Sequence, residues 1–181
     1  MEDAAYKKRR HQKEGRKGKH PEVPLYTTAD VEETLPLVQN VPYERAQKIN
    51  GNVWVTFHDA GHILGSAIVE GAVSQGDQLQ HLLFSGDLGQ WDRPIVRDPT
   101  LFQEADYVVM ESTYGDRDHD SHESIETQME RVINETVRGG GNVIIPTFAM
   151  ERAQELMFYI GRLVHADRIP DVPVFFDSPM A

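Results

Sequence analysis

The pattern of apolar residues changes near the middle of the chain, and this change limits the folds that the sequence can adopt. The first part contains short β-prone runs separated by turns that contain glycine, at Val53–Phe57, Ser66–Val73 and His81–Phe84. The turn Ser74-Gln75-Gly76-Asp77 predicts that the last two runs form a hairpin. The later part alternates short apolar runs with helical periodicity, which is typical of parallel strands joined by helices. We therefore expect an α/β fold.

Helices are predicted on both sides of the β-prone region. A helix is expected over residues 2–13, and a second begins near Ala29 with Thr28 as its cap. From Ser121 apolar side chains recur on one helical face, and the glycines at 139–141 end that helix. Phe148–Leu163 has the same periodicity. Three continuous apolar runs predict buried strands of a parallel sheet. These runs are Tyr107–Met110, Val143–Ile145 and Val174–Phe176.

Composition excludes several kinds of protein. The 181 residues contain no cysteine, so any metal must be bound by His, Asp or Glu. No apolar run approaches the roughly 20 residues of a membrane helix. The basic start of the chain is not followed by the apolar stretch of a secretory signal. We therefore expect a cytoplasmic protein that does not enter a membrane.

Positive charge is concentrated at the start of the chain. Residues 1–20 contain eight Lys and Arg against three acidic residues, a net charge of +5, so the remainder carries −16 of the total of −11. A basic stretch of this kind contacts phosphates in some proteins, and in others it is a solvated helix face. The acidic remainder argues against a protein that coats nucleic acid along its whole surface.

Candidate metal ligands follow the predicted strands. The segment Phe57-His58-Asp59-Ala60-Gly61-His62 places two imidazoles and a carboxylate in one loop, which is typical of a zinc ligand and equally of a polar turn. Asp87 follows a predicted strand in Phe84-Ser85-Gly86-Asp87, and it is either an oxygen ligand or a turn-forming residue. Glu111 directly follows the run Tyr107–Met110, and it is either a site residue or a solvated residue at the end of the strand. Because ligands gather at strand ends in layered α/β folds, the three segments together predict a shared site.

Five segments, in this order, resemble the metallo-β-lactamase/β-CASP family of RNA-processing nucleases. They are AGHILGSA, FSGDLG, ADYVVMESTYGDR, GGNVIIPTFAMERAQEL and VPVFFDSPMA, and the resemblance runs over the whole chain. It implies part of an αββα metallo-β-lactamase sandwich over residues 1–113. It also implies the start of a parallel β/α β-CASP domain over residues 114–181.

The resemblance also implies roles for individual residues. His62 resembles a direct zinc ligand, and Asp87 resembles the carboxylate that bridges two Zn²⁺ ions in the complete site. Glu111 resembles the acidic residue that orients a later catalytic histidine. No role transfers to His58. The implied activity is zinc-dependent hydrolysis of phosphodiester bonds in single-stranded RNA, during RNA processing or decay.

Parts of the family pattern are missing. No segment has the spacing of the family's HxHxDH motif, and the later β-CASP histidines are not matched. The chain ends directly after the last predicted strand, where a helix is expected. We therefore expect a truncated chain that is inactive alone and has unpaired strand edges prone to homo-oligomer formation. Two alternatives stay open: a non-catalytic β-CASP paralogue that acts as a scaffold, and a metallo-β-lactamase-fold hydrolase of small esters.

Overall fold

Two helices make up the first of two units into which the chain divides, residues 1–41. The computed structural model describes residues 2–17, 19–20, 23–117 and 124–178. Helix α1 spans Glu2–Glu14, as predicted. Helix α2 spans Thr28–Thr34 and continues into a short 3-10 helix, Leu35–Leu37.

The cap of α2 is Thr27, so the assignment of Thr28 to this position was wrong. The Thr27 hydroxyl oxygen accepts a hydrogen bond from the Asp30 amide at 3.5 Å. The Asp30 carboxylate in turn accepts from the Thr27 amide at 2.6 Å. Asp30 stands three residues after Thr27, which is the spacing that a reciprocal capping box requires, and this spacing selects Thr27.

The second unit, residues 42–181, contains a five-stranded mixed sheet. The strands lie in chain order, and the first four pair as antiparallel neighbours, while the fifth pairs with the fourth in parallel. The predicted hairpin is confirmed, and its turn contains Gly76 with φ of +63°. The strands are β1 (Gln47–Asn50), β2 (Val53–Asp59), β3 (Ala67–Gln75), β4 (Gln78–Phe84) and β5 (Tyr107–Val109). Strand β1 was not predicted, since its sequence QKIN has only one apolar residue.

Strand β5 is exposed, and the prediction that it is buried on both faces was wrong. Tyr107, Val108 and Val109 each keep more than half of their surface accessible. This strand is at the edge of the sheet, with β4 as its one neighbour. No element of the described residues covers its faces, because the helices that follow pack on each other.

Helices α3 (Ile125–Arg138) and α4 (Arg152–His165) share a small apolar core. Its buried members are Met129, Ile133, Leu163 and Ile169. Helix α3 ends at Gly139, and Gly140 follows with φ of +70°, as the glycine run predicted. The predicted start of this helical segment, Ser121, lies outside the described residues. Helix α4 starts later than predicted because Glu151, the residue before it, has a positive φ of +62°, which is incompatible with a right-handed helix.

The two later apolar runs do not form strands in the described part of the chain, which corrects the prediction for Val143–Ile145 and Val174–Phe176. Ile144 is 87% exposed and Phe175 is 89% exposed. A strand exists only through hydrogen bonds to a neighbour, and neither run has such a ladder here. Both runs line an open cavity together with side chains of α3 and α4. The mixed sheet and the helices confirm the α/β class. The predicted parallel pairing of the runs at 143–145 and 174–176 is not formed.

A buried carboxylate connects the loop after β4 to helix α4. Glu155 is 5% exposed and accepts hydrogen bonds from Arg93 at 2.8 Å and from Arg152 at 2.5 Å. Arg93 also donates to Gln90. Two guanidinium partners compensate the cost of burying this charge.

The predicted domain boundary at 113/114 lies within the second unit and stays a prediction. Among the described helices, none has the length and apolar character that crossing a membrane requires.

Candidate metal centre

The loop between β2 and β3 presents His62. Its backbone is held at both ends by side-chain hydrogen bonds. The Ser66 hydroxyl accepts from the amides of His62 and Ile63, both at 3.2 Å. The Asp59 carboxylate accepts from the Gly61 amide at 3.1 Å. The segment therefore forms a structured turn, in which the position of His62 is set by its neighbours.

Two glycines let this loop approach the one that follows β4. Gly61 has φ of +65°, a backbone conformation that residues with a side chain rarely adopt. The Gly89 amide donates to the carbonyl oxygen of Ala60 at 2.8 Å. A Cβ atom on Gly89 would lie 1.6 Å from the carbonyl oxygen of Gly61, so only glycine fits there. This backbone contact brings the HILGSA and SGDLG segments together.

His62 and Asp87 meet as a consequence of that contact. The His62 Nε2 and Asp87 Oδ2 atoms are 3.9 Å apart, with 44% and 75% of the two side chains exposed. The predicted proximity is therefore observed. Two ligands of one zinc ion, each with a bond of about 2 Å, are separated by a distance of this order. Both side chains face solvent, so an ion has access to them.

Glu111 supports the loop that carries Asp87. Its Oε1 accepts from the Leu88 amide at 2.6 Å, and its Oε2 accepts from the Thr113 hydroxyl at 2.7 Å. These two hydrogen bonds, the one from Thr113 first, lower the pKa of Glu111, and the nearby His62 imidazole adds a smaller effect. The Glu111 amide also donates to the buried Ser85 hydroxyl at 3.1 Å. Glu111 is thus ionised at neutral pH and is engaged by backbone and hydroxyl donors.

The donor types of His62 and Asp87 suit zinc, but two side chains are fewer than a firmly bound ion needs. An imidazole nitrogen and a carboxylate oxygen are ordinary zinc ligands, and a site that holds the ion firmly uses three or four. Within the described ranges, no group of three or more His, Asp and Glu side chains is placed to hold one ion. His62 and Asp87 thus supply two side chains of the donor types that such a site uses. The supporting residues Ser66, Leu88 and Thr113 were not predicted, although Ser66 is a residue of the AGHILGSA motif.

A second cluster of ionisable side chains was also missed. Glu70 on β3 lies between two imidazoles, with its Oε2 2.9 Å from His58 Nε2 and its Oε1 3.1 Å from His81 Nδ1. His58 is 8% exposed and its ring meets Phe102 edge to face, with centroids 4.8 Å apart. The Glu44 carboxylate is 2.9 Å from His58 Nδ1, at ion-pair distance but without hydrogen-bond geometry. His58 is therefore a structural residue of the sheet, and it is not directed at His62.

Register explains why these residues meet. His58 is opposite Ile68, and His81 is opposite Ala72, so Glu70 is the diagonal neighbour of both. Diagonal neighbours on one face of a sheet are within reach of long side chains. The sequence signal for this cluster is the alternation of side chains between the two faces of β2, β3 and β4. It identifies the contacts of Glu70 only when the pairing of the three strands is known.

Comparison with known proteins finds relatives among nucleases. No family model matches the chain. Ribonuclease TTHA0252 of Thermus thermophilus is 39% identical over 158 residues, which are 87% of this chain and 35% of that protein. The transcription termination factor FttA of Methanosarcina mazei is 34% identical over 84% of this chain and 24% of its own length. Endoribonuclease YSH1 of Eremothecium gossypii is 33% identical over 87% and 20%, respectively. The chain thus spans about a third or less of the relatives that it matches.

Proposed function

Because this chain belongs to the metallo-β-lactamase/β-CASP family of nucleases, we propose that its role is hydrolysis of phosphodiester bonds in single-stranded RNA. The observation that carries the proposal is the approach of His62 Nε2 to Asp87 Oδ2 at 3.9 Å. Relatives named ribonuclease and endoribonuclease match the chain over this part of the sequence. RNA is therefore the substrate class that we assign.

We further propose that zinc is the metal, with two ions in the complete site. His62 would hold the metal through its imidazole and Asp87 through its carboxylate. When bound, zinc supplies the Lewis acidity that polarises a phosphate and generates a nucleophile from water at neutral pH. The histidines of an HxHxDH motif, which this sequence lacks, are the remaining ligands that the family pattern requires.

Glu111 acts as a positioning residue in this proposal. Its carboxylate holds the Leu88 amide, next to Asp87 in the chain, and so fixes the loop that presents the ligand. Its Oε2 is occupied by the Thr113 hydroxyl.

The domain organisation belongs to the same proposal. Residues 1–113 are the part related to the metallo-β-lactamase sandwich, and residues 114–181 begin the β-CASP domain. Support comes from the sheet, which ends with β5 at Val109, and from the separate apolar core of α3 and α4. A cytoplasmic location and a homo-oligomeric state stay predictions from the sequence.

The test is cleavage of labelled single-stranded RNA by the protein expressed from its whole reading frame, with zinc added. Asp87→Asn keeps the shape of the side chain and removes its charge, and we expect it to lower the cleavage rate at least about 100-fold, as loss of a ligand or its partner does. Asp77→Asn, in the turn between β3 and β4, is the matched control and should cleave at the normal rate. Equal rates for the Asp87→Asn and Asp77→Asn proteins, or no metal-dependent cleavage at all, would refute the proposal.

A further inference from the structure

Helix α1 and the residues that follow it contain all eight Lys and Arg residues of the basic start of the chain. The side chains of all eight are exposed. They are Lys7, Lys8, Arg9, Arg10, Lys13, Arg16, Lys17 and Lys19. The proposed nuclease function and the His62–Asp87 site make no use of them.

Among the side chains that the structure describes, few of these charges are neutralised. Glu14 pairs with Arg10 at 2.9 Å and lies 3.4 Å from Arg16. No carboxylate whose position the structure describes is within ion-pair distance of Lys7, Lys8, Arg9 or Lys13. Since the chain outside residues 1–20 has a net charge of −16, a polyanion is repelled elsewhere and attracted here.

The helix also arranges an aromatic ring among these charges. Tyr6, Arg9, Arg10 and Lys13 are spaced i, i+3, i+4 and i+7, which places them on one face over about 10 Å. Tyr6 is 57% exposed. Proteins that bind single-stranded nucleic acid combine cations that follow the backbone with rings on which bases stack. A solvated helix that only keeps a protein soluble has no need of an exposed ring at that position.

We propose that Tyr6, Arg9, Arg10 and Lys13, here called the α1 basic surface, bind the backbone of single-stranded RNA without regard to sequence. The proposal rests on the proposed function, since it names a second contact for the same substrate class. The cations bind phosphates and Tyr6 stacks on a base. Affinity therefore falls as salt rises, because each neutralised phosphate releases counterions.

The test measures binding of a fluorescein-labelled uridine oligonucleotide to the purified chain by fluorescence anisotropy over a salt series. The variant Arg9→Gln/Arg10→Gln/Lys13→Gln keeps helix propensity and removes the three charges of the α1 basic surface. We expect its Kd to rise about tenfold at low salt, and the slope of log K against log salt to fall by about two. Tyr6→Leu should weaken binding at least about fivefold and leave the slope unchanged.

The matched control is Arg45→Gln/Lys48→Gln/Arg138→Gln, which removes the same charge from exposed positions outside α1. It should bind as the unmodified chain does, and circular dichroism checks that each variant keeps its helices. Equal losses in the two triple variants, no loss in the first, or binding to phosphatidylserine vesicles in place of RNA would overturn the proposal. An unchanged Kd for Tyr6→Leu would overturn the stacking contact.

The two proposals fail separately. RNA cleavage that depends on Asp87 together with an unchanged Kd for the α1 triple variant would leave the nuclease standing and sink the α1 basic surface. Binding that depends on α1, without cleavage by the protein from its whole reading frame, would do the reverse.

Discussion

Gly89 lies against Gly61 so closely that a Cβ atom on Gly89 would be 1.6 Å from the Gly61 carbonyl oxygen. This contact joins the loop that carries His62 to the loop that carries Asp87. The His62 Nε2 and Asp87 Oδ2 atoms are 3.9 Å apart because no side chain separates the two loop backbones at Gly61 and Gly89. The geometry of the candidate metal centre thus depends on Gly89, a residue without a side chain.

Gly89→Ala should lower both stability and zinc binding. The added methyl group must displace backbone atoms of Gly61 and His62, and overpacking of this kind costs about 1–3 kcal/mol. Urea unfolding followed by circular dichroism measures the change. Gly51→Ala is the control, since no atom lies within 4 Å of its added Cβ, and its stability should be unchanged or slightly higher. Equal stabilities for the two variants would show that the loops separate without cost.

Glu111→Gln should flatten the dependence of stability on acid pH. Hydrogen bonds from Thr113 and the Leu88 amide lower the pKa of Glu111 in the folded chain. A carboxyl group with a lowered pKa stabilises the fold fully above its unfolded value of about 4.3, and this contribution is lost as the pH falls through the folded value. The glutamine variant has no such contribution to lose.

The measurement is urea unfolding at a series of pH values between neutral and acid. Glu104→Gln, at an exposed position in a loop, is the comparison and should keep the pH dependence of the unmodified chain. If Glu111→Gln unfolds with the same pH dependence as Glu104→Gln, the Leu88 and Thr113 contacts do not hold the carboxylate in solution.

Glu70→Gln should destabilise the sheet. Burial raises the pKa of Glu70, but the hydrogen bonds from His58 and His81 outweigh it, so the pKa lies below its ordinary value. Loss of this charge removes a charge-assisted partner from buried His58, at a cost of about 1–3 kcal/mol near neutral pH. Because the folded pKa is lowered, the difference should shrink as the pH falls below about 4.

Chemical denaturation at neutral and acid pH tests this expectation. Glu32→Gln, at an exposed position of α2, is the control and should unfold as the unmodified chain does. A Glu70→Gln chain of unchanged stability at neutral pH would mean that His58 finds other partners in solution.

The chain of 181 residues by itself should bind zinc weakly and leave RNA intact. His62 and Asp87 are two ligands, and an ion held by two ligands keeps most of its water, so the protein does little to activate it. Equilibrium dialysis with metal analysis measures binding, and a labelled single-stranded RNA reports cleavage. His62→Ala is the control and should lower even the weak binding. Cleavage by the native chain that His62→Ala lacks would show that a working site exists in this chain and that it has ligands besides His62 and Asp87.

Local features of the sequence were sufficient for most of the elements. The bounds of α1, the hairpin at Gly76 and the end of α3 at Gly139 all follow from periodicity and turn residues, which act over a few positions. Motif order was sufficient to point to relatives among nucleases. It also predicted that His62 and Asp87 lie together, as they do at 3.9 Å, while the roles of these residues and of Glu111 stay a proposal. Each of these inferences uses information that is contained in one short segment or in the order of several.

Tertiary structure decided what depends on contacts between distant segments. Glu70 meets His58 and His81 because of the register of three strands, and a shift by one residue would turn Glu70 to the other face. Strand β5 is exposed although its sequence is apolar, since burial depends on what covers a strand. The runs at 143–145 and 174–176 have the composition of strands but no paired neighbour among the described residues. Composition sets the preference of a segment for a strand, and only a hydrogen-bonded partner makes it one.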